Sequence, residues 1–246
     1  MHDRPREHDG TCHIWWADVQ GAARNQRHLL SRAEQGRADT LRQTDDQDRF
    51  VAGRALLRTL AAVLLGTTAN RVAVGSSCPD CPRPHGKPTL PGTEWQASIS
   101  HSGRLVAVAL STAGPVGIDL ERIDETIPLL ELRPQVLSEA ESAARPHDTP
   151  HSFFRTWTRK EAVLKATGDG LRIPMPRVSV TPADAIPAVT SFLDRPELVD
   201  RIRLADLDPA PGYSASVAVI SSASVDYADH GATRFGPRVL SGAGAR

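Results

Sequence analysis

Residues 116–124, VGIDLERID, set Asp119 and Glu121 two positions apart, with Ile118 and Leu120 alternating against them. That alternation is the period of a β-strand, so the two acids share one face while the aliphatic pair turns to the core. Like charges on one face repel. Either water solvates that face, or a positive group sits between the acids. Hard divalent cations take carboxylate oxygens, and Mg²⁺ characteristically takes one or two of them together with substrate phosphates.

A second group, Lys160, Glu161 and Lys165, lies within WTRKEAVLKATG. Glu161 and Lys165 are four residues apart and are neighbours on one helical face. They form either an ordinary surface ion pair or, flanked by Trp157, Ala162, Val163 and Leu164, a carboxylate and two cations facing a shared anion. In SISHSG, Ser100, His101 and Ser102 stand at a strand end. They are either structural or donors apt for a phosphate at a turn. No hydrolase triad is indicated, because G-x-S-x-G is absent. Lys87 sits in the Pro-bounded HGKP. Arg54 and Arg58, with Arg49 before them, can grip a phosphate or simply keep their helix in water. Cys78 and Cys81 form one C-x-x-C ahead of His85, but a structural zinc site needs four ligands and only Cys12 and scattered histidines remain. The Pro-laden loop argues against a thioredoxin-like motif opening a helix.

These residues need elements to hold them. Phe50, Gly53, Leu57, Leu60 and Leu64 recur at helical spacing, Leu56 and Val63 widen the stripe, and Gly66 is placed to cap it. ASISHSGRLVAVAL reads as two strands joined by a Ser-Gly turn, GIDLE as a strand, and LSEAESAAR as a helix start. HSFFRTWTRKEAVLKATG reads as a helix ending at Gly168, and GYSASVAVI as a closing strand. The pattern predicts an α+β fold: a pseudo-twofold pair of similar halves, each a small antiparallel sheet on a long helix. The halves are expected at residues 13–113 and 114–221, between a flexible N-terminus (1–12) and a flexible tail (222–246).

Lys+Arg and Asp+Glu balance at 29 each over 246 residues, so no global field directs the chain to nucleic acid or membrane. The apolar run at 61–65 is too short to span a bilayer. The polar opening MHDRPREHDG lacks a signal-peptide core, which with three cysteines gives the expectation of a cytoplasmic protein.

As an ordered set, GKP (86–88), SHS (100–102), GIDLE (117–121), WTRKEAVLKATGDGL (157–171) and PGYSASVA near the end resemble the 4'-phosphopantetheinyl transferases of the surfactin-synthetase type. RFVAGRALLR is similar to members found beside polyketide and nonribosomal peptide synthetases. The resemblance implies transfer of the phosphopantetheine arm of coenzyme A to a carrier-protein serine, releasing adenosine 3',5'-bisphosphate, in a cleft between the halves. It implies Mg²⁺, with Mn²⁺ able to substitute, on Asp119, Glu121 and Glu161, and Glu161 as the base acting directly or through water. Lys160 and Lys165 would neutralise phosphate charge, Lys87, Ser100 and His101 would contact coenzyme A, and Arg54 would hold the 3'-phosphate. The partners implied are acyl or peptidyl carrier domains of polyketide, nonribosomal peptide or fatty acid synthases, docking around residues 127–139 on a monomer. Two other functions use much of the same chemistry: a Mg²⁺-dependent phosphohydrolase of nucleotides or diphosphates, and a non-catalytic coenzyme A binder. The intact Glu161 argues against the binder, which needs no base.

Overall fold

The computed structural model describes residues 10–19, 23–76, 86–144 and 148–233. Strand β1 (Thr11–Asp18) leads into helices α1 (Ala23–Gln26), α2 (Arg32–Asp39) and the long α3 (Thr44–Leu64). Strands β2 (Gln96–Ser102) and β3 (Leu105–Ser111) follow, and the chain then crosses to β4 (Val116–Arg122). Next come α4 (Leu129–Val136), α5 (Glu139–Ala144) and the second long helix, α6 (Pro150–Thr167). The short strands β5 (Val178–Val180) and β6 (Val189–Phe192) precede β7 (Ile202–Leu207), β8 (Tyr213–Ile220) and β9 (Asp226–Thr233).

The fold is α+β. One sheet has the order β2-β3-β1-β9, a second β4-β8-β7, and β5 and β6 pair separately. α3 packs on the first sheet and α6 on the second. Alternation along β1 explains the layering. Trp15 and Ala17 join the core beneath α3, while Cys12, Ile14 and Trp16 turn to the opposite face and meet Ile118, Leu120 and Val217 of the second sheet. Every residue of β3 is buried, as expected for a strand covered on both sides.

The long helices carry their own start and stop signals. Asp45 and Asp46 in the first turn of α3 favour its positive end, and beyond Leu65 the Thr67 amide closes back on the Ala62 carbonyl at 2.8 Å. α6 begins with a capping box between Thr149 and Ser152, has Pro150 in its first turn, and stops at Gly168 in the left-handed region (φ 79°). Against β4 the α6 backbone comes so close that a Cβ on Gly117 would lie 2.0 Å from the Ala162 carbonyl oxygen. Only glycine fits there.

The C-terminal expectation needs correction. Residues 226–233 do not trail away but form β9, parallel to β1. This also makes the first sheet mixed rather than wholly antiparallel. Trp16 Nε1 donates to Asp229 Oδ1 at 2.8 Å, and the Tyr227 hydroxyl donates to the Arg203 carbonyl at 2.8 Å, so β9 is tied to both sheets. No helix among the described residues is long and apolar enough to cross a membrane.

Candidate active site

Where β2, β4, α3 and α6 converge, a cavity of about 420 Å³ opens. Asp119 and Glu121 from β4, Glu161 and Lys165 from α6, and Ser100 and His101 from β2 all line it. A second cavity, about 800 Å³, shares Arg49, His101 and Glu121 with the first, so the two form one cleft.

The electrostatics centre on Asp119, which is 3% exposed. Its Oδ1 accepts from Lys165 Nζ at 2.6 Å and from Ser100 Oγ at 3.0 Å, while its buried Oδ2 has no partner. Burial, then the neighbouring Asp119 charge, pushes Glu121 up to about 7. The same two causes raise Glu161. Burial disfavours the Lys165 ammonium, but Asp119, Glu161 and Glu121 together outweigh it and hold its pKa above the ordinary lysine value. Burial also lowers His101, and Lys165 and Arg49 add to the effect. Lys165 is the cation in direct contact with these acids, paired with Asp119 at 2.6 Å.

A divalent cation fits this donor chemistry. The buried Asp119 Oδ2 has no hydrogen-bond partner, and a hard cation would favour the ionised forms of the two raised carboxylates beside it. The arrangement is not a closed ligand set, since among the described residues no three acid, histidine or cysteine side chains are grouped to hold a metal ion. Lys165 stands at Asp119 instead.

On α3, Arg54 lines the cavity at 8% exposure, with a buried Nη1 that has no partner. It lies over the Phe50 ring at 5.6 Å, and its Nε is 4.0 Å from Glu34 Oε1. Arg58 is turned away, donating to Glu34 Oε2 at 2.9 Å and the Val72 carbonyl at 2.7 Å. Arg49 is committed to Asp46 and the Gly103 carbonyl. Lys87 sits beside the cavity between the lining residues Gly86 and Pro88, and its Nζ donates to the Ala166 carbonyl at 2.9 Å.

Lys160 is the correction. It is fully buried on another face of α6, donating to Glu141 Oε2 at 2.5 Å and the Val136 carbonyl at 2.6 Å. The reason is helical geometry: one residue turns a side chain by about 100°, so Lys160 cannot share the face of Glu161 and Lys165. Its role is to bind α5 to α6, and it does not reach a phosphate in this cavity. Trp157, by contrast, lies four residues before Glu161 and lines the cavity, a position that spacing alone would have supplied. Cys78, Cys81 and His85 fall outside the described residues.

Residues 115–218 match the family model described as the 4'-phosphopantetheinyl transferase superfamily. The 4'-phosphopantetheinyl transferase HetI of Nostoc sp. is 32% identical over 165 residues, covering 63% of this chain and 67% of HetI. The chain belongs to the 4'-phosphopantetheinyl transferase superfamily. A 4'-phosphopantetheinyl transferase of Bacillus subtilis is 31% identical over 140 residues, covering 55% of this chain and 59% of its own. Across three such relatives the match spans 58% to 67% of their length. A crystal structure of Thermotoga maritima holo-[acyl-carrier-protein] synthase aligns over 44% of this chain and 63% of its own, at 20% identity and a TM-score of 0.34. The superfamily match takes in β4, α6 and most of β8, and therefore Asp119, Glu121, Glu161 and Lys165.

The chain has only three lysines, at 87, 160 and 165, which makes one property of this transferase-family site easy to read. Burial pushes Lys87 down to about 8, while the other two are paired with carboxylates. A neutral amine is the nucleophile, so acetylation near pH 8 is expected to label Lys87 well ahead of Lys160 and Lys165. Peptide mass mapping checks the order, and equal labelling of the three would contradict the lowered Lys87.

Proposed function

We propose that this chain transfers the 4'-phosphopantetheine arm of coenzyme A to a carrier-protein serine, releasing adenosine 3',5'-bisphosphate. The observation that carries this reading is the meeting of Asp119, Glu121 and Glu161 with Lys165 at one cavity, inside the stretch matched by the superfamily. Asp119, Glu121 and Glu161 would hold Mg²⁺ or Mn²⁺, which supplies charge neutralisation at the pyrophosphate.

The chain's own groups divide the remaining work. Lys165 sits at the cavity wall with a firmly held proton and turns its ammonium to the phosphate whose bond breaks. The buried, unpartnered Arg54 Nη1 supplies a donor for the 3'-phosphate. Ser100 and His101 line the same wall, and Lys87 borders it, as coenzyme A contacts. Glu161 takes the serine proton, directly or through water, from its place on the cavity wall. No covalent enzyme intermediate is needed, so positioning and electrostatics supply the catalysis.

The partners in this reading are acyl or peptidyl carrier domains of polyketide, nonribosomal peptide or fatty acid synthases. They dock along residues 127–139, where Leu130 is 85% exposed. Both walls of the cleft come from one chain, in keeping with a monomer, and the expected compartment is the cytoplasm. The halves divide at residues 113 and 114, in the crossing from β3 to β4.

The test is to incubate the protein with coenzyme A, Mg²⁺ and an apo carrier, then weigh the carrier. A gain of one phosphopantetheine is expected, lost in EDTA and restored by Mg²⁺ or Mn²⁺. No mass gain with steady coenzyme A breakdown would sink the transferase reading in favour of a phosphohydrolase. Turnover undiminished by chelation would remove the metal from it.

A further inference from the structure

β2 and β4 belong to different sheets, yet they are stitched together by three serines. Ser98, Ser100 and Ser102 alternate along β2 and so share one face, the one turned to β4. Their hydroxyls accept from the backbone amides of Ile118 (3.1 Å), Leu120 (3.3 Å) and Arg122 (3.0 Å). β4 is the edge strand of its sheet, and these three amides would otherwise point from that edge without a partner. The offset between serine and amide stays constant, so β2 and β4 run parallel and in register.

The rungs are not equivalent. Each hydroxyl has one proton to donate. Ser100 gives its proton to Asp119 at 3.0 Å, and Ser102 gives its proton to Glu121 Oε2 at 2.7 Å. Ser98 is given no acid to hold: the residue preceding Ile118 is Gly117. Thus Ser102 fixes both the Arg122 amide and the carboxylate one residue before it, locking Glu121 relative to its own backbone. Ser102 is itself anchored. The turn after it is held by the Arg49 guanidinium donating to the Gly103 carbonyl at 3.0 Å and by the Arg104 amide donating to the Tyr213 hydroxyl at 3.1 Å.

We propose that Ser102 is a positioning residue for Glu121: by bonding the Arg122 amide and the Glu121 carboxylate at once, it sets the acid's place in the cleft. Ser98 makes the same backbone bond with no acid attached and serves the seam alone. The catalytic part of this inference rests on the transferase reading; the carboxylate placement does not.

The experiment compares Ser102→Ala, Ser102→Thr and Ser98→Ala as full-length proteins. Groups that hold a metal-ligating side chain typically affect metal affinity or activity by about 10–100-fold. Ser102→Ala is expected to weaken Mn²⁺ binding by the free protein, read by electron paramagnetic resonance, about 10-fold. It should lower kcat for carrier loading by a similar factor with KM for coenzyme A within about twofold. Ser102→Thr restores the hydroxyl and should recover both. Ser98→Ala should lower the melting temperature at least as much, leaving Mn²⁺ affinity and kcat unchanged. If Ser102→Ala and Ser98→Ala lose function in proportion to their stability, or a folded Ser102→Thr recovers neither measure, the proposal is overturned. Should Ser98→Ala fail to fold, the Ala and Thr variants at 102 decide it between them. A wild type that loads no carrier, with Mn²⁺ binding still dependent on Ser102, would remove the transferase reading and leave the positioning intact.

Discussion

Glu161→Gln is expected to lower kcat for carrier loading by about 10³-fold, within the range typical for a removed general base. The substitution keeps the size and hydrogen-bonding reach of the side chain but cannot take up a proton at neutral pH. Lys165 stays paired with Asp119 and Ser100, while the metal set loses one of its three carboxylates along with the base. Stability should move the opposite way. Burial and Asp119 raise Glu161 above the ordinary carboxylate value, so the folded state favours its neutral form. Stabilisation by that form is present below the unfolded pKa and is lost as pH rises through the raised folded value. As pH rises through that value the wild-type protein gains a charge that opposes folding, and glutamine removes it. The variant should melt at or above the wild-type temperature in metal-free buffer, with an unchanged helical circular dichroism spectrum. Loss of helix would make Glu161 structural. Activity within a few fold of wild type would take the base away from it.

Local periodicity made much of this site legible. The period of two put Asp119 and Glu121 on one face, and the structure sets both at the cleft. The i,i+4 relation put Glu161 beside Lys165, and the structure keeps them together. Lys160 has the charge of Lys165 but not its helical angle, so charge alone misplaces it. Buried lysines are rare enough that its pairing with Glu141, nineteen residues away and on another helix, left no local trace. β9 was illegible for a related reason. DYADHGAT is polar and contains a glycine, so nothing in it asks for burial. It becomes a strand because β1 has an open edge, and because Trp16 and the Arg203 carbonyl provide partners from more than twenty residues away. The serine alternation in SISHS was visible as a pattern, but the strand it stitches to was not. Contacts across sheets are set by topology, which a strand's own residues do not encode.

Gly117→Ala is the substitution expected to damage the fold most for the fewest atoms. Gly117 is not among the glycines with positive φ, so its backbone would accept alanine. The obstacle is contact: a Cβ would stand 2.0 Å from the Ala162 carbonyl oxygen and 2.3 Å from the Ala166 amide nitrogen. Both are backbone atoms of α6, so no side chain can rotate away. The helix as a whole must lift from β4, which opens the core containing Ala162, Val163, Ala166 and Ala218. Overpacking of this kind costs about 3 kcal/mol or more when the neighbours cannot yield. A urea titration would show it as a lower midpoint at an unchanged slope. Function should fall further than stability, because the same gap sets Lys165 at 2.6 Å from Asp119 and fixes how far Glu161 stands from both β4 acids. A displacement of about 1 Å at such a constellation can cost about 10²-fold in rate. Residual folded protein at low temperature should therefore load carrier about 10²-fold more slowly than wild type. A stable Gly117→Ala protein working at the wild-type rate would show that the close approach of α6 to β4 is incidental. The glycine that opens GIDLE would then have nothing to do with the acids that follow it.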